Sequence, residues 1–359
     1  MRIQISPHWG VSQGADGSVD TTELLLLLAA IQESGAIAQA ARSLGLSYRH
    51  AWGQVKRAEQ LFGHPLVDAG RGRGSTLTPL ADKLIWADRR IAARLSPLLS
   101  SLASELEHEL ERILPRKASA VAALRLHASH GFAVAALVEQ LEAAQLSVEL
   151  RYRNSFESVS GLARCECDLA GFHVPIGEFA LPAARRYREW LRPEEHSLIH
   201  LAVRAQGLFV AAGNPKRIRS LADLKRPDVR FVNRPEGSGT RMLTELMLSK
   251  QGVAPNEVTG YASTEFTHAA VAAFIASGMA DVGVGVQTAA QRFGLPFMPL
   301  LRERYFLALP TKLLREPTVR QMLELMQSPK YRSSVAALIG YEAGETGRVM
   351  SVDEALPDN

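Results

Sequence analysis

The sequence predicts a multidomain α/β protein with an N-terminal winged helix-turn-helix, a long dimerisation helix and a C-terminal two-lobed α/β domain. Three observations predict this organisation. Helical patterns separated by glycine turns occupy residues 20–62, an apolar stripe continues from Pro79 to Leu114, and strands alternate with helices beyond residue 120. The length of 359 residues, with 47% hydrophobic and 22% charged side chains, suits two or three globular domains.

The first helical patterns have the spacing of a helix-turn-helix. The sequence predicts helices over residues 22–33 and 36–44, and Gly45 supplies the turn. Ser47 can cap a third helix that continues to about Phe62, because its hydroxyl can accept a hydrogen bond from a free N–H of the first turn. A helix–helix–turn–helix of this length is typical of DNA-binding proteins.

A hairpin is predicted after the third helix. Leu66–Val67 and Thr76–Thr78 form its arms, and Gly70–Gly74 its tip, which carries Arg71 and Arg73. Such a hairpin is the wing of a winged helix, and we expect its arginines to contact phosphates or enter the minor groove.

Positive charge is concentrated around these elements. The whole chain has a formal charge of only +4, but residues 42–94 hold ten Lys and Arg against four Asp and Glu, a local net charge of +6. This distribution favours a polyanionic partner such as double-stranded DNA, whereas a solvated basic face is the simpler interpretation of such a run without a motif.

The predicted DNA-binding residues lie on the third helix and on the wing. An α-helix fits the major groove, where its exposed side chains contact base edges and phosphates. Taken singly, each of these residues is equally compatible with an ordinary surface role, and Ser47 with a helix cap, a phosphate contact or both. The predicted residues are Ser47, Tyr48, Arg49, His50, Gln54, Lys56, Arg71 and Arg73.

A long helix is predicted from Pro79 to about Leu114. Its apolar positions recur at spacings of three, four and seven and form one stripe along ~50 Å of helix. Pairing with the same helix of a second subunit, in a homodimer or tetramer, is the favoured interpretation, and packing on its own winged domain is the alternative. These patterns place domain boundaries at residues 1–79, 80–117 and 118–359.

The remaining chain predicts a parallel sheet with helical crossovers. Strand and helix patterns alternate as βαβαβ from residue 123, and a parallel sheet needs such crossovers. "LIHLAVRAQGLFVAAGNP" predicts two strands, "SLADLKRP" a short helix, and residues 315–340 a final helical stretch.

A small-anion site is predicted where these strands end and helices begin. "NRPEGSGTR" (233–241) is a glycine-rich turn that enters a helix, so free N–H groups and the positive end of the helix dipole point at one spot. Ser238 and Thr240 add hydroxyls, and Arg234 and Arg241 add charge. A comparable polar end, Ser129-His130-Gly131, closes the first strand, and in a doubly wound sheet such ends face a common cleft.

Catalysis and metal binding are not predicted. His130, His173 and His268 have no Cys or carboxylate at ligand spacing, and Ser238 does not lie in a nucleophile elbow. We therefore expect no enzyme activity, no metal and no cofactor apart from a small anionic effector.

The expected environment is the cytoplasm, with no membrane association. Cys165 and Cys167 are two residues apart, which suits neither a zinc site nor a disulfide, so a reducing compartment fits. The first ten residues lack the apolar region of a signal peptide, and the apolar run 24–31 is too short to span a bilayer.

Two resemblances sharpen these predictions. Residues 20–113, with "SYRHAW" at the start of the third helix, the glycine-rich wing and the "LTP" helix opening, resemble the winged helix-turn-helix of molybdate-responsive ModE regulators, a relative of the LysR-type domain. The oxyanion-binding β-barrel that usually follows in ModE is absent. Residues from about 120 to 312, with "GLFVAAGNP" and "DVGVGVQTAA", instead resemble the periplasmic-binding-protein-like domain.

The second resemblance implies a set of cleft residues. Regulators of molybdate or tungstate uptake and of molybdoenzyme operons, formate dehydrogenase included, carry this domain. The implied ligand-binding residues are Ser129, Ser238, Gly239, Thr240 and Arg241, followed by His130, Asn154, His173 and Thr267.

The resulting hypothesis is a one-component transcriptional regulator that senses a molybdate- or tungstate-type oxyanion. We expect it to control molybdoenzyme or oxyanion-uptake genes. Formate or another small carboxylate is the alternative effector, favoured if Arg241 points into the cleft, because guanidinium pairs with carboxylate bidentately. The sequence is also compatible with an enzyme or carrier of molybdenum-cofactor metabolism, and with an architectural DNA-binding protein.

Overall fold

The computed structural model describes residues 3–12, 18–70, 74–113 and 123–356. These residues divide into two compact units. Residues 6–95 form the first unit, and residues 96–359 together with the first five form the second. The helix α4 (Pro79–Ile113) contributes residues to both units. Its bounds agree with the long helix predicted from Pro79 to about Leu114.

The first unit is a winged helix-turn-helix, as predicted. Its core consists of apolar side chains of the first three helices, among them the fully buried Leu24, Leu28 and Val55, together with Ala81 and Ile85 from the start of α4. Gly63 ends the third helix in the left-handed conformation (φ 65°), which glycine adopts without a steric penalty. The elements are β1 (Gly10–Ser12), β2 (Ser18–Asp20), α1 (Thr21–Ser34), α2 (Ile37–Ser43), α3 (Tyr48–Phe62), β3 (Val67–Gly70) and β4 (Gly74–Leu77).

The wing is the antiparallel pair β3–β4, in which Val67 lies opposite Leu77. The hairpin contacts the turn between α1 and α2. The N–H of Ser75 in β4 donates to the carbonyl of Gly35 at 2.7 Å. The predicted tip residues Arg71 and Arg73 lie outside the described residues.

In the residues that the structure describes, the second unit is built on one sheet of nine strands. Its main path has the order β6-β5-β7-β11-β8-β10-β9, and β12 and β13 also pair with β8. β5 is parallel to both β6 and β7, which confirms the predicted βαβαβ arrangement. The strands are β5 (Leu124–Ala128), β6 (Val148–Tyr152), β7 (Leu169–Pro175), β8 (His196–Val210), β9 (Phe231–Val232), β10 (Val282–Val286), β11 (Phe297–Pro310), β12 (Tyr341–Glu342) and β13 (Val349–Ser351).

Helices cover the sheet and form two lobes with separate apolar cores. Leu137 and Met322 lie in a core of the first lobe, and Leu243 and Val284 in a core of the second. The helices are α5 (Phe132–Ala143), α6 (Ser155–Ala163), α7 (Ala180–Tyr187), α8 (Gly239–Lys250), α9 (His268–Ala276), α10 (Gln287–Arg292), α11 (Pro317–Gln327), α12 (Pro329–Ala336) and α13 (Val352–Ala355).

Three predictions about this unit need correction. The two strands predicted in "LIHLAVRAQGLFVAAGNP" are one continuous strand, β8, because it pairs with β11 along its whole length. The final helical stretch is two helices, since Pro329 lacks an N–H and Ser328 caps the second helix. The short helix predicted in "SLADLKRP" is a 3₁₀ turn over Leu221–Lys225.

β8 and β11 cross from one lobe to the other. At its N-terminal end β8 pairs with β13 of the first lobe, and at its C-terminal end with β10 of the second. Arg204 and Gln206 therefore lie midway along the crossing, with Glu303 of β11 directly opposite Arg204. This geometry places buried polar side chains where the two lobes meet.

Candidate functional site

A small cavity lies where the two lobes of the second unit meet. Its volume is about 10 Å³, enough for about one water molecule. The lining residues are Ser129, His130, Arg153, Asn154, Ser155, His173, Arg204, Arg234, Pro235, Ser238, Gly239, Thr240, Phe266 and His268.

Four helices begin at this cavity. α5 and α6 start in the first lobe, and α8 and α9 in the second. The first N–H groups of a helix have no partner within it and carry the positive end of its dipole, so this arrangement favours an anion. Capping fixes the helix starts, since Ser238 accepts from the N–H of Arg241 and Asn154 from that of Glu157.

Arg234 is a buried cation of the cavity wall without a carboxylate partner among its described contacts. Its side chain donates to the Phe266 carbonyl at 2.5 Å and to Nδ1 of His268 at 3.2 Å, while its Nε has no partner. Burial and the nearby Arg204 lower the pKa of Arg234 to about 9, so it still carries its charge at neutral pH.

Arg204 is buried beside it but has a counter-charge. Its Nε donates to Glu303 at 2.6 Å, and Gln206 donates both to Glu303 and to the Thr240 hydroxyl. Burial opposes ionisation of Arg204, but the Glu303 carboxylate outweighs it and raises the pKa of Arg204 above its usual range. Of the two arginines, Glu303 hydrogen-bonds only Arg204 and acts on Arg234 at longer range, so one carboxylate faces two buried cations.

Three histidines of the cavity are neutral at pH 7. Burial, with the charge of Arg234, lowers the pKa of His130 to about 4. Burial lowers the pKa of His173 and His268 well below the ordinary value, and the charges of Arg204 and Arg234 add to the effect. His173 also has a buried Nε2 without a hydrogen-bond partner.

The lobes touch each other at the rim of the cavity. The N–H of Phe156 donates to the carbonyl of Gly237 at 3.3 Å, and Asn154 donates to the carbonyl of Glu236 at 3.5 Å. A Cβ at Gly237, where φ is 79°, would lie 2.8 Å from the Asn154 amide. A Cβ at Gly239 would lie 3.3 Å from the Ser155 hydroxyl. Both glycines therefore permit this close approach.

Most of the residues predicted for the ligand come together here. Thr267 caps α9 by accepting from the N–H of Ala270, and it is not among the lining residues. Arg241 also does not line the cavity: it pairs with Glu245 at 2.7 Å and lies over the Tyr261 ring at 4.2 Å. The predicted residues that do line it are Ser129, His130, Asn154, His173, Ser238, Gly239 and Thr240.

Sequence reasoning missed several members of the wall. It did not predict Arg204 or Arg153, and it gave Arg234 only as a source of charge. An arginine inside the otherwise apolar run of β8 was the available signal for Arg204, since a buried charge needs a partner or a ligand. The sequence contains no comparable signal that Phe266 lies at the site.

The predicted DNA-binding face of α3 is exposed. Ala51, Val55 and Ala58 bury one side of the helix, which leaves Arg49 and Lys56 on the solvent side. Ser47 caps the helix by accepting from the N–H of His50, and Gln54 is partly exposed.

Several of these side chains already have neighbours in the first unit. Lys56 donates to Glu59 at 2.6 Å, and His50 lies 2.5 Å from Glu23. Tyr48 is 55% exposed and stacks on Trp52 with ring centroids 6.4 Å apart. Glu59 also accepts from the backbone N–H groups of Leu66 and Val67 at the start of the wing, so this ion pair joins helix to wing.

The described residues contain neither a metal-binding cluster nor a single membrane-spanning helix. Within them, no group of three or more His, Cys, Asp or Glu could hold a metal ion. No single helix in those segments is long and apolar enough to cross a bilayer; only Thr21–Ser34 and Ile37–Ser43 together, bent by 119°, reach that length and composition.

Comparison with known proteins identifies both units. The family model described as a PBP superfamily domain matches residues 138–327. The chain belongs to the PBP superfamily. The model of the bacterial regulatory helix-turn-helix proteins of the lysR family matches residues 22–82, so the PBP-like domain follows a LysR-type DNA-binding domain.

Individual proteins are similar to parts of this chain or to most of it. The uncharacterized protein YvgK of Bacillus subtilis is 35% identical over 218 residues, which are 60% of this chain and 69% of YvgK. The molybdenum-pterin-binding protein MopB of Rhodobacter capsulatus is 40% identical over 93 residues, 25% of this chain and 34% of MopB. Among solved structures, a Corynebacterium glutamicum OxyR mutant matches 88% of this chain and 93% of its own, with 16% identity and a TM-score of 0.43.

The chain is thus a LysR-type DNA-binding transcriptional regulator with an effector-binding PBP-like domain. Regulators of this type bind DNA operators and small-molecule effectors and act as oligomers. The family supports the prediction of a regulator that is not an enzyme. The resemblance to ModE in particular stays a prediction.

Proposed function

We propose that the effector of this PBP-superfamily regulator is a small oxyanion of the molybdate or tungstate type, bound in the cavity between the lobes. The charge of buried Arg234, which has no carboxylate among its described contacts, carries this proposal. An isolated charge is costly to bury, and an anion at the cavity would supply the missing counter-charge. We further propose that the regulated genes serve molybdoenzymes or oxyanion uptake.

The size and polarity of the site support a small ligand. A cavity of about 10 Å³ must open to admit even a tetrahedral oxyanion, and an aromatic or sugar effector would need a much larger rearrangement of its walls. Helix starts, hydroxyls and neutral histidines can hold an oxyanion by hydrogen bonds without a full match of charge. The relative MopB, a molybdenum-pterin-binding protein by name, supports the molybdenum-related choice.

A small carboxylate such as formate is the weaker candidate. It depends on an Arg241 that points into the cleft, and that side chain is instead engaged with Glu245 and Tyr261. Arg234 has an unpartnered Nε, and its terminal nitrogens have more hydrogens than Phe266 and His268 engage, so it can donate to a carboxylate as well as to an oxyanion. The position of Arg241 is therefore what favours the oxyanion.

The exposed faces of α3 and α4 suggest how the effector would be coupled to DNA. We propose that Arg49 and its neighbours on α3 contact the operator. Leu98, Leu102 and Leu106 of α4 are 58%, 44% and 39% exposed, a stripe that pairing in a homodimer would cover. Regulation then requires that the anion bind one arrangement of the subunits better than another.

Thermal unfolding of the full chain with molybdate, tungstate, sulfate and formate tests the effector. At a hundredfold excess over its dissociation constant, a ligand specific for the folded state adds ~2.7 kcal/mol of stability. We expect molybdate or tungstate to do so and to change the affinity for operator DNA in a parallel titration. Stabilisation by formate alone would replace the oxyanion with a carboxylate, and no stabilisation by any of the four would remove the anion hypothesis.

A further inference from the structure

The strand β6 lies at one edge of the sheet. In the described residues it pairs with β5 alone, so its outer side faces no other strand. The outer side of an edge strand presents backbone N–H and C=O groups without a strand partner, and such groups need another partner when they are buried. Leu150 and Tyr152 of β6 are both buried. Their outward N–H groups therefore need acceptors from a different element.

Two serines of α4 supply these acceptors. The N–H of Leu150 donates to the hydroxyl of Ser104 at 3.0 Å, and the N–H of Tyr152 donates to the hydroxyl of Ser101 at 2.9 Å. Residues three apart share a face of a helix, and residues two apart share a side of a strand. One face of α4 is thus hydrogen-bonded along the edge of β6.

The hydroxyl of Ser101 has a fixed orientation. It donates to the carbonyl of Pro97, one turn earlier in α4, at 2.9 Å, and Ser101 is buried. Its single hydrogen is therefore used, and its lone pairs accept from Tyr152. Glu105 also lies 3.5 Å from Arg151 of β6, but both side chains are partly exposed, so this ion pair contributes little. The two serine hydroxyls are what hold the helix to the strand.

The strand β6 leads directly into the wall of the cavity. The ring of Tyr152 lies 4.9 Å from the ring of His130, which lines the cavity. Arg153 and Asn154, the next two residues of the chain, line it as well, and Asn154 caps α6. The N–H group that Ser101 binds therefore belongs to the residue immediately before the wall.

The helix α4 leads in the other direction to the DNA-binding domain. Ala81 and Ile85, near its start, lie in the core of the winged helix-turn-helix. Ser101 and Ser104 belong to the same continuous helix but to the second unit. One helix is thus packed into the winged domain near its start and hydrogen-bonded to β6 farther along.

We propose that Ser101 and Ser104 are positioning residues for regulation: their hydroxyls fix α4 to β6, so that the helix follows a change in the cavity wall. This role rests on the proposed effector site between the lobes, whatever anion occupies it. Regulation requires that the two arrangements of α4 differ in their affinity for DNA. Because such coupling is reciprocal, DNA bound to the winged domain must also stabilise the contact between α4 and β6.

Amide hydrogen exchange of the full chain tests this coupling without an effector. A random-sequence DNA duplex at low salt is the probe. We expect the duplex to slow exchange of the Leu150 and Tyr152 amides by about fivefold or more. In Ser101→Ala/Ser104→Ala, both amides should exchange about fivefold or more faster and no longer respond to the duplex. Equal exchange rates with and without bound duplex in the unchanged protein would overturn the proposal.

Molybdate provides a second readout of the same coupling. We expect molybdate to change the duplex affinity of the unchanged protein, and the double variant to lose this change while it binds molybdate within about threefold of the original affinity. A full molybdate response in the double variant also overturns the proposal. If molybdate does not affect DNA binding of the unchanged protein, the proposed effector fails, and the exchange experiment alone decides the role of the serines.

Two further variants separate the hydrogen bonds from other effects of the substitutions. Ser100→Ala is the matched control, because Ser100 is exposed on the same helix and its replacement raises helix propensity equally. It should behave like the unchanged protein, and changes equal to those of the double variant would contradict the proposal. Ser104→Thr keeps a hydroxyl and should preserve the protection of the Leu150 amide that Ser104→Ala removes. Circular dichroism establishes that each variant is folded.

Discussion

The two binding regions of this protein use positive charge in opposite ways. On α3, Arg49 and Lys56 are exposed, and their charges are hydrated before any partner arrives. In the cavity, Arg204 and Arg234 are almost fully buried, and the fold has already removed them from water. The first region gives binding that is weakened by salt, since exposed charges are screened; the second gives short-range binding that depends on the fit of one ligand.

The two regions therefore differ in when their charges lose their hydration. Most of the desolvation of Arg234 takes place during folding, so an anion entering the cavity meets a charge that has already lost most of its hydration. On α3, each side chain must give up water and its present neighbour, as Lys56 must give up Glu59, when it meets a phosphate. We therefore expect single substitutions to have larger effects in the cavity than on α3.

The largest effect is expected at Arg234. Arg234→Gln removes this buried charge, and we expect the binding of molybdate to weaken by about 2–5 kcal/mol, because the ligand then loses its buried counter-charge. Isothermal calorimetry measures it. Arg241→Gln is the control: it removes an arginine of the same helix start that pairs with Glu245 outside the cavity, and molybdate affinity should hardly change. Equal losses in the two variants would contradict the distinction between buried and paired cations.

Arg49→Ala tests the exposed region. We expect specific operator binding to weaken by about 1–3 kcal/mol if Arg49 contacts a base edge, with no change in molybdate affinity. Arg71→Ala, at the tip that the sequence predicts for the wing, should weaken binding to all DNA sequences alike and reduce its salt dependence. Fluorescence anisotropy with operator and random duplexes at several salt concentrations distinguishes them. If neither variant alters DNA binding, the predicted placement of the DNA-binding face is wrong.

Gly237→Ala tests the contact between the lobes. The added Cβ would lie 2.8 Å from the Asn154 amide, so we expect molybdate binding to weaken by about 1–2 kcal/mol through overpacking. Gly213→Ala is the control, since Gly213 also has a positive φ (71°) but a Cβ there would meet nothing within 4 Å. Comparison of the molybdate dissociation constants of the two variants separates the effect of the contact with Asn154 from that of backbone strain. Equal constants would mean that this contact is unimportant.

The smallest effect concerns pH. The pKa of His130 is about 4 in the folded protein, against 6.5 for an ordinary histidine, so the unfolded chain binds a proton first as the pH falls. Stability should therefore decline between about pH 6.5 and 4, and His130→Asn should reduce this decline by about 1 kcal/mol, since the ring keeps part of its surface in solvent. Urea unfolding at pH 7 and pH 5 measures this decline in the free energy of unfolding for each variant. The exposed His64→Asn should leave the decline unchanged; an equal reduction there would contradict this assignment.

The sequence by itself determined the local elements and the order of the domains. Gly45 and Ser47 predicted the start of α3, because turns and helix caps depend on a few neighbouring residues. The polar ends of β5 and β9 likewise predicted Ser129 and Ser238 as members of one cleft, since the strand ends of the two lobes face each other where helices begin.

Only the tertiary structure decided which arginines reach the cavity. Arg234 and Arg241 are seven residues apart, and the sequence prediction placed Arg241 at the ligand, but Arg234 is the one buried against Phe266 and His268, while Arg241 pairs with Glu245. Arg204 arrives from a distant strand, with Glu303 opposite it across the sheet. Local sequence sets backbone conformation, whereas the partner of a long charged side chain depends on contacts between residues that are far apart in the chain. For that reason the pairing of Arg204 with Glu303, and the positive charge that it leaves at Arg234 for a ligand, could be identified only from the folded protein.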